Sequence, residues 1–469
     1  MRSTVLLATW VLGCAQPRGG SVPPPADATA DTEDAAVLGL AAIPSPTSPR
    51  IGELPAPRTI VLRNARIIDG TGAAPRSDLD VVIIGDRIAE IGADMPIPAG
   101  ARSIDLAGRT LLPGFIDAHV HLGASPQRNH DAAVAERVRS SEADVALQAA
   151  ANARRTLEAG FTTVRNVGGS FADRSLRDAI VRGDVPGPRM VVANFAVGIT
   201  GGHCDGGNGL HPDVFAERTG PEFGTADGPD EVRKAVRLQI KHGADVIKVC
   251  ATGGVLSQGD GVGNPQMTDA ELVAAVQEAT RADRKVAAHA HGNAGIRAAV
   301  RAGVHSIEHG SVLDAPTLAM MKRAGTVLVP TLSAARAVEA MAEAGTISAE
   351  SAAKARAIAP KMRDSFALAV RSGVTIALGS DAGVFAHGTN GGEFVEMVRA
   401  GMTPMAALTA GTATAAALLG RRDVGRIAPG MLADLVVVEA DPLADIATVL
   451  RPTLVMKGGE LYVTPAWAE

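Results

Sequence analysis

The feature that most constrains this chain is an alternation, repeated eight times between residues 111 and 419, of a short apolar run with a longer amphipathic stretch. The apolar runs are too short for buried helices and read as strands covered on both faces. They lie at 111–117, 162–166, 190–195, 246–250, 286–291, 306–309, 327–331 and 375–381. The stretches between them carry helix punctuation. Residues 142–159 end at Gly160, Thr268 and Glu271 form a capping box, and Thr403 precedes a proline at the first helical position. Strands that alternate with helices pair in parallel, because each helix must carry the chain back across the sheet. Eight such units predict an α/β fold, a (β/α)8 TIM barrel over 113–419.

The flanks follow another pattern. Between 58 and 112, Ile60-Val61-Leu62, Val81-Val82-Ile83-Ile84 and Ile88-Ala89-Glu90-Ile91 are separated by Asp69-Gly70 and Gly85-Asp86, a hairpin signal. Within 420–469, two further strands are expected at 433–438 and 454–459. The two chain ends are predicted to build one small β-sandwich domain. Ahead of it, 15–57 is rich in Pro, Ala, Ser, Thr and Asp without apolar periodicity and reads as a disordered linker. Residues 1–14 carry Arg2, an apolar run and Val11-Leu12-Gly13-Cys14, the pattern of a signal peptide with a lipobox. It predicts a lipid anchor at Cys14 and an exported protein, a periplasmic or outer-membrane-anchored lipoprotein. An ordinary cleaved signal, or a misplaced start, fits the same residues. No later run reaches the ~18 apolar residues that cross a bilayer.

A formal net charge of -5 and an aromatic content of 3% leave neither a basic footprint nor stacking platforms, so nucleic acid is not expected as a partner. Cys14, Cys204 and Cys250 lie far apart with no CxxC spacing, so neither a disulfide framework nor a thiolate zinc site is expected. A metal would need nitrogen and oxygen ligands.

A parallel barrel carries its active site at the C-terminal ends of its strands. The first strand runs into His119-Val120-His121, and a spacing of two sends both imidazoles to one side. An HxH alone is weak. Lys248 ends the fourth strand, His289 lies on the fifth, His309 closes the sixth and Asp381 the eighth. One lysine at a strand end is ordinarily a snorkelling side chain, and one histidine a satisfied core or surface group. Six such residues at one face argue for a metal centre. His291 shares the side of His289 in a regular strand, and the residues alone leave both as candidates. His203, in the glycine-rich stretch 201–207, is a candidate substrate contact, with a mobile surface histidine as the alternative. Cys204 beside it is not assigned as a ligand. His130, His211, His242, His305 and His387 read as solvated. The pocket walls are expected from the loops 197–228, 251–267 and 382–392.

Longer strings sharpen this. Pro113-Gly114-Phe115-Ile116-Asp117-Ala118-His119-Val120-His121, Ser306-Ile307-Glu308-His309-Gly310, Gly379-Ser380-Asp381 and Gly425-Arg426-Ile427-Ala428-Pro429-Gly430 resemble the amidohydrolase superfamily from about residue 58 onward. Ile247-Lys248-Val249-Cys250-Ala251-Thr252-Gly253-Gly254 and Val286-Ala287-Ala288-His289-Ala290-His291-Gly292 are similar to its prolidase-like branch. That branch hydrolyses dipeptides and N-acyl amino acids and includes ochratoxin-degrading amidohydrolases.

The resemblance implies two divalent metal ions, usually zinc. His119, His121 and Asp381 would hold the more buried one, His289 and His309 the exposed one, and a carboxylated Lys248 would bridge them. It prefers His289 over His291 as the ligand, leaving His291 nearer the substrate. It also implies a metal-bridging hydroxide as nucleophile, with Asp381 as the catalytic proton carrier. The expected reaction is hydrolysis of an amide bond to a C-terminal amino acid, ochratoxin A being one candidate substrate. Homo-oligomers, octamers among them, are expected by the same likeness.

Two departures stand out. Relatives carry Val-Arg-Asp where this chain has Val164-Arg165-Asn166, which touches local hydrogen bonding only. Some dipeptidases hold the substrate carboxylate with a tyrosine near the fourth-strand loop, whereas the single tyrosine here is Tyr462. Rival readings are a deaminase or cyclic amidase on the same fold, and a non-catalytic scaffold. Deaminases place a glutamate three residues after the fifth-strand histidine, where this chain has Gly292, and a scaffold would have lost ligands.

Overall fold

Gly114 is where the chain passes from one kind of sheet to another. In the computed structural model, which describes residues 58–214 and 219–468, Thr110–Pro113 pairs antiparallel with Leu435–Val438, while Phe115–Val120 pairs parallel with Phe161–Asn166. The single strand expected over 111–117 is therefore two. A Cβ at 114 would lie 2.2 Å from Oγ1 of Thr162, so glycine is what permits the approach. The lipobox with Cys14 and the 15–57 linker lie outside the described residues.

The segments 59–113 and 435–463 share one continuous eight-stranded sheet. Its order is Glu460–Val463, Leu454–Lys457, Leu435–Val438, Thr110–Pro113, Thr59–Ile67, Arg76–Ile84, Arg87–Gly92. Arg102–Asp105 also pairs with Thr59–Ile67, along 60–63, while Thr110 and Leu111 take 66–67 of the same strand. One long strand thus serves two partners in succession. Leu62, Ile67, Val81, Ile83, Leu111, Leu435, Val437 and Leu454 meet in one buried cluster, the period-2 face that the alternating runs require.

The central part is α/β. Phe115–Val120, Phe161–Asn166 and Arg189–Val192 form one parallel sheet, and Val246–Cys250, Lys285–Ala290, Ser306–His309 and Val327–Val329 form another. Every residue of Phe115–Val120, Phe161–Asn166 and Val246–Cys250 is buried, so both faces of these strands are covered. The Asp245 N–H donates to the Val192 carbonyl at 2.7 Å, joining the two sheets on one side. On the other, Leu328 bridges Ile376, the Ala118 N–H donates to Leu378 at 2.9 Å, and the Asp381 N–H donates to His119 at 2.8 Å.

The eighth strand expected over 375–381 is not a regular strand. The Ser380 N–H leaves the ladder for the Asp117 carboxylate at 2.9 Å, and Asp381 turns left-handed with φ 63°.

Caps fix the helix ends where the sequence placed them. Glu142–Glu158 starts at a Ser141/Asp144 capping box, Asp269–Arg281 at the Thr268/Glu271 box, and Pro404–Thr409 under the Thr403 hydroxyl. Between Val327–Val329 and the segment at 375, two helices occur instead of one, Leu332–Ala344 and Ala349–Ser372. No described helix is long and apolar enough to cross a membrane.

Candidate metal centre

Three residues at the ends of successive strand segments adopt left-handed backbone: His309 at φ 70°, Thr331 at φ 53° and Asp381 at φ 63°. Each costs about 1 kcal/mol for a side chain with a Cβ. Such strain concentrates where side chains must converge. Here they do converge: His119, His121, Lys248, His289, His309 and Asp381, with His203 and His291, line a single cavity of about 190 Å³ that opens to solvent. All eight residues singled out in the sequence are therefore in one place.

Within it, Oδ1 of Asp381 lies 3.5 Å from Nε2 of His119 and 3.2 Å from Nε2 of His121. The His119 and His309 rings are 5.0 Å apart, and His289 and His309 4.6 Å. Two trios have donor atoms close enough to share an ion: His119, His309 and Asp381, and His289, His291 and His309. The second trio contains both fifth-strand histidines, so proximity does not separate them.

Hydrogen bonding orients the rings. Nδ1 of His119 is 2.8 Å from Oε2 of Glu308, Nδ1 of His121 is 2.7 Å from the Gly168 carbonyl, and Nδ1 of His309 is 2.8 Å from the Thr331 hydroxyl. Nδ1 of His291 pairs with Ser311 at 2.6 Å. Fixing one imidazole nitrogen in this way leaves the other for a metal. Nε2 of His289 is buried with no protein partner. Buried donors with an orphaned nitrogen among them fit divalent ions.

The electrostatics agree. Burial lowers the His119 imidazole to about 4 and takes His289 and His309 well below their ordinary value, so these rings are neutral at pH 7. Burial also brings the Lys248 ammonium down to about 8, against the pull of Glu308 and Asp381. For Glu308 burial opposes the charge, but Arg165 and His119 prevail and hold the carboxyl at about 2. Neutral imidazoles, an available amine and a fixed carboxylate are what hard-to-borderline metals require.

Several contributors escaped the sequence reading. Glu308 and Arg165, linked at 2.8 Å, orient His119 from outside the ligand set. Asp117 accepts from the Ser380 N–H, the Asn390 amide and the His119 N–H, locking two strand ends together. The only available signal was adjacency, with Glu308 preceding His309 and Asp117 two residues before His119. Asn166 does what was expected of a local polar group, accepting from Leu122 N–H at 2.7 Å and donating to Asp173 at 2.9 Å.

Other expectations change. Cys204 and Cys250 form a disulfide across 46 residues, although no disulfide was expected. Cys250 lies two residues beyond Lys248 and faces the same cavity, while the 201–207 stretch folds back over it; local Cys spacing carries no sign of that. His387 is buried, not solvated, with Nε2 3.2 Å from the carbonyls of His121 and Ala124. His305 is half-buried and accepts the Val286 N–H. His203 is not a mobile surface group: its ring stacks 4.0 Å from His289 and its Nδ1 meets Ser257 at 2.9 Å. The loops do supply His203, Val255, Leu256 and Val384 to the walls, but Leu332–Ala344 and Ala349–Ser372 add a side that the sequence reading did not foresee. The signal available was the interval between 329 and 375, long enough for a second helix.

Comparison with known proteins accords with this arrangement. The amidohydrolase family profile matches residues 110–462. An ochratoxinase of Aspergillus niger is 34% identical over 432 residues, covering 86% of this chain and 87% of the relative. Among solved structures, a Xaa-Pro dipeptidase with methionine bound in its active site superposes with a TM-score of 0.83 at 39% identity, over 86% of this chain and 100% of that one. The A. niger ochratoxinase structure gives a TM-score of 0.76 at 32% identity, over 88% and 98% of the two chains.

Proposed function

This chain belongs to the amidohydrolase family, and on that premise we propose that it hydrolyses the amide bond to the C-terminal amino acid of a dipeptide or N-acyl amino acid, with ochratoxin A among the candidate substrates. The observation that carries the proposal is the convergence of His119, His121, Lys248, His289, His309 and Asp381 on one cavity. Likeness to an ochratoxinase and to a Xaa-Pro dipeptidase supports the choice of substrate class. The backbone bonds that join the two parallel sheets at both sides support reading the strands as a closed (β/α)8 barrel.

His119, His121 and Asp381 would hold one divalent ion, zinc being the first choice, and His289 and His309 a second. The Lys248 amine, brought down by burial, would take up carbon dioxide, and its carbamate would offer one oxygen to each ion. Two ions held there would make water a nucleophile at neutral pH and polarise the scissile carbonyl.

The remaining steps belong to the protein. Asp381 takes the proton of the attacking water and delivers it to the leaving amine, so that one carboxylate serves as base and then acid. Glu308, fixed by Arg165, keeps the His119 ring in register. His203, held by Ser257, and His291, held by Ser311, contact the substrate at the cavity wall.

The test is release of free amino acid from a panel of dipeptides and N-acyl amino acids by zinc-loaded protein, alongside Lys248→Ala. Activity lost in the variant and in chelator-treated wild type, and restored to the latter by zinc, is expected. Full activity in Lys248→Ala would refute the bridging role.

A further inference from the structure

The cavity is strongly two-sided. One side is the histidine cluster with Lys248 and Asp381, the only carboxylate and amine among the described lining residues. Another part of its lining comes from two helices, with Ala334, Ala335 and Val338 on Leu332–Ala344, and Ile358, Ala359 and Met362 on Ala349–Ser372. None of these six has a polar side-chain group. Val338 and Met362 are 7% and 4% exposed, so this surface is shielded from bulk water. The alanines make room: a larger residue at those positions would take up the space beside the histidine cluster.

We infer that the Leu332–Ala344 and Ala349–Ser372 helices form a specificity wall that receives a bulky apolar group, aliphatic or aryl, on one flank of the scissile amide. The inference rests on the amide-hydrolase reading and deepens it. A charged flank placed there would lose water and find no partner, whereas an apolar flank is stabilised by leaving water. The polar residues lie elsewhere: next to the inner cavity, and sharing His203 and Leu256 with it, is an outer recess lined by His130, Arg139, Asp205 and Gln258. The substrate is therefore sorted along its length, with its amide at the histidine cluster and its apolar flank against the helices.

Two substrate series test this, each varying one flank of the amide through leucyl, phenylalanyl, seryl, aspartyl and lysyl. On one flank, kcat/KM for leucyl and phenylalanyl should exceed that for aspartyl and lysyl by on the order of 100-fold. Met362→Lys should raise the aspartyl-to-leucyl ratio on that flank at least about tenfold, and Ala335→Asp, at a half-exposed position that tolerates polarity, should do the same for lysyl. Melting temperatures establish that the variants fold. Calorimetric binding of free leucine, phenylalanine, aspartate and lysine to the zinc-loaded protein gives a readout without turnover, and the apolar pair should bind more tightly. Absence of any hydrolysis would defeat the proposed reaction while the binding order still judged the wall. Equal acceptance of charged and apolar flanks on both sides, equal binding of the four amino acids, or folded variants with unchanged ratios would overturn the wall.

Discussion

Nδ1 of His119 lies 2.8 Å from Oε2 of Glu308, and both side chains are buried. The pair is completed by Arg165, whose guanidinium holds the other carboxylate oxygen at 2.8 Å. A carboxylate behind a histidine fixes the tautomer and makes the remaining nitrogen a better donor, so its charge would act through the ring on a metal held there.

Glu308→Gln keeps the shape and removes the charge. Zinc affinity is expected to fall by about 10- to 100-fold. Competition with a fluorescent chelator measures it; an unchanged affinity would show that Glu308 is needed only for packing around Arg165.

Lys248 yields a prediction about reconstitution. Burial brings its ammonium down to about 8, so the neutral amine that can react with carbon dioxide becomes abundant as pH rises through that value. Metal-free protein given zinc should regain activity faster with bicarbonate than in carbon-dioxide-free buffer. At fixed carbon dioxide pressure, the rate should climb roughly tenfold from pH 6 to pH 7 and level off above pH 8. Identical recovery with and without bicarbonate would rule out the carbamate.

Glu393 accepts the Leu332 and Ser333 N–H groups at 2.8 and 2.7 Å, anchoring the helix that follows Thr331. Thr331 in turn pairs with His309. Glu393→Gln turns one acceptor into a donor facing an N–H, which should cost about 1–3 kcal/mol in urea denaturation. Loosened Thr331 should also weaken binding of a divalent ion added at His309. Lower stability with unchanged affinity at that ion would show that the two are not coupled.

Asp173 provides a pH signature. Burial raises its carboxyl from 3.8 to about 7, against bonds from Ser170 N–H and Asn166, and its Oδ1 has no partner. The folded state therefore holds a proton that the unfolded chain releases near pH 4. The stabilisation is complete below pH 4 and is lost as pH rises through 7. In metal-free protein, Asp173→Asn should flatten the dependence of urea stability on pH in that window. A slope equal to wild type would remove Asp173 as its source.

What the sequence determined by itself is periodicity and local chemistry. Runs such as 246–250 and 286–291 carry apolar residues at successive positions because the strands are buried on both faces, and residues two apart share a side whatever the rest of the fold does. That sufficed to bring His119, His121 and Lys248 into one candidate set, and the caps at Thr268 and Thr403 followed from side-chain reach alone. The tertiary structure decided what depends on distant partners. Ser380 leaves its ladder because Asp117, 263 positions earlier, accepts its N–H. Glu308 reaches His119 across 189 positions, and Cys204 meets Cys250 only because a loop folds back over the fourth strand. The apolar wall of Ala335, Val338 and Met362 has no local signature. It depends on which surfaces the packed helices and strands bring face to face, and that geometry exists only once the chain is folded.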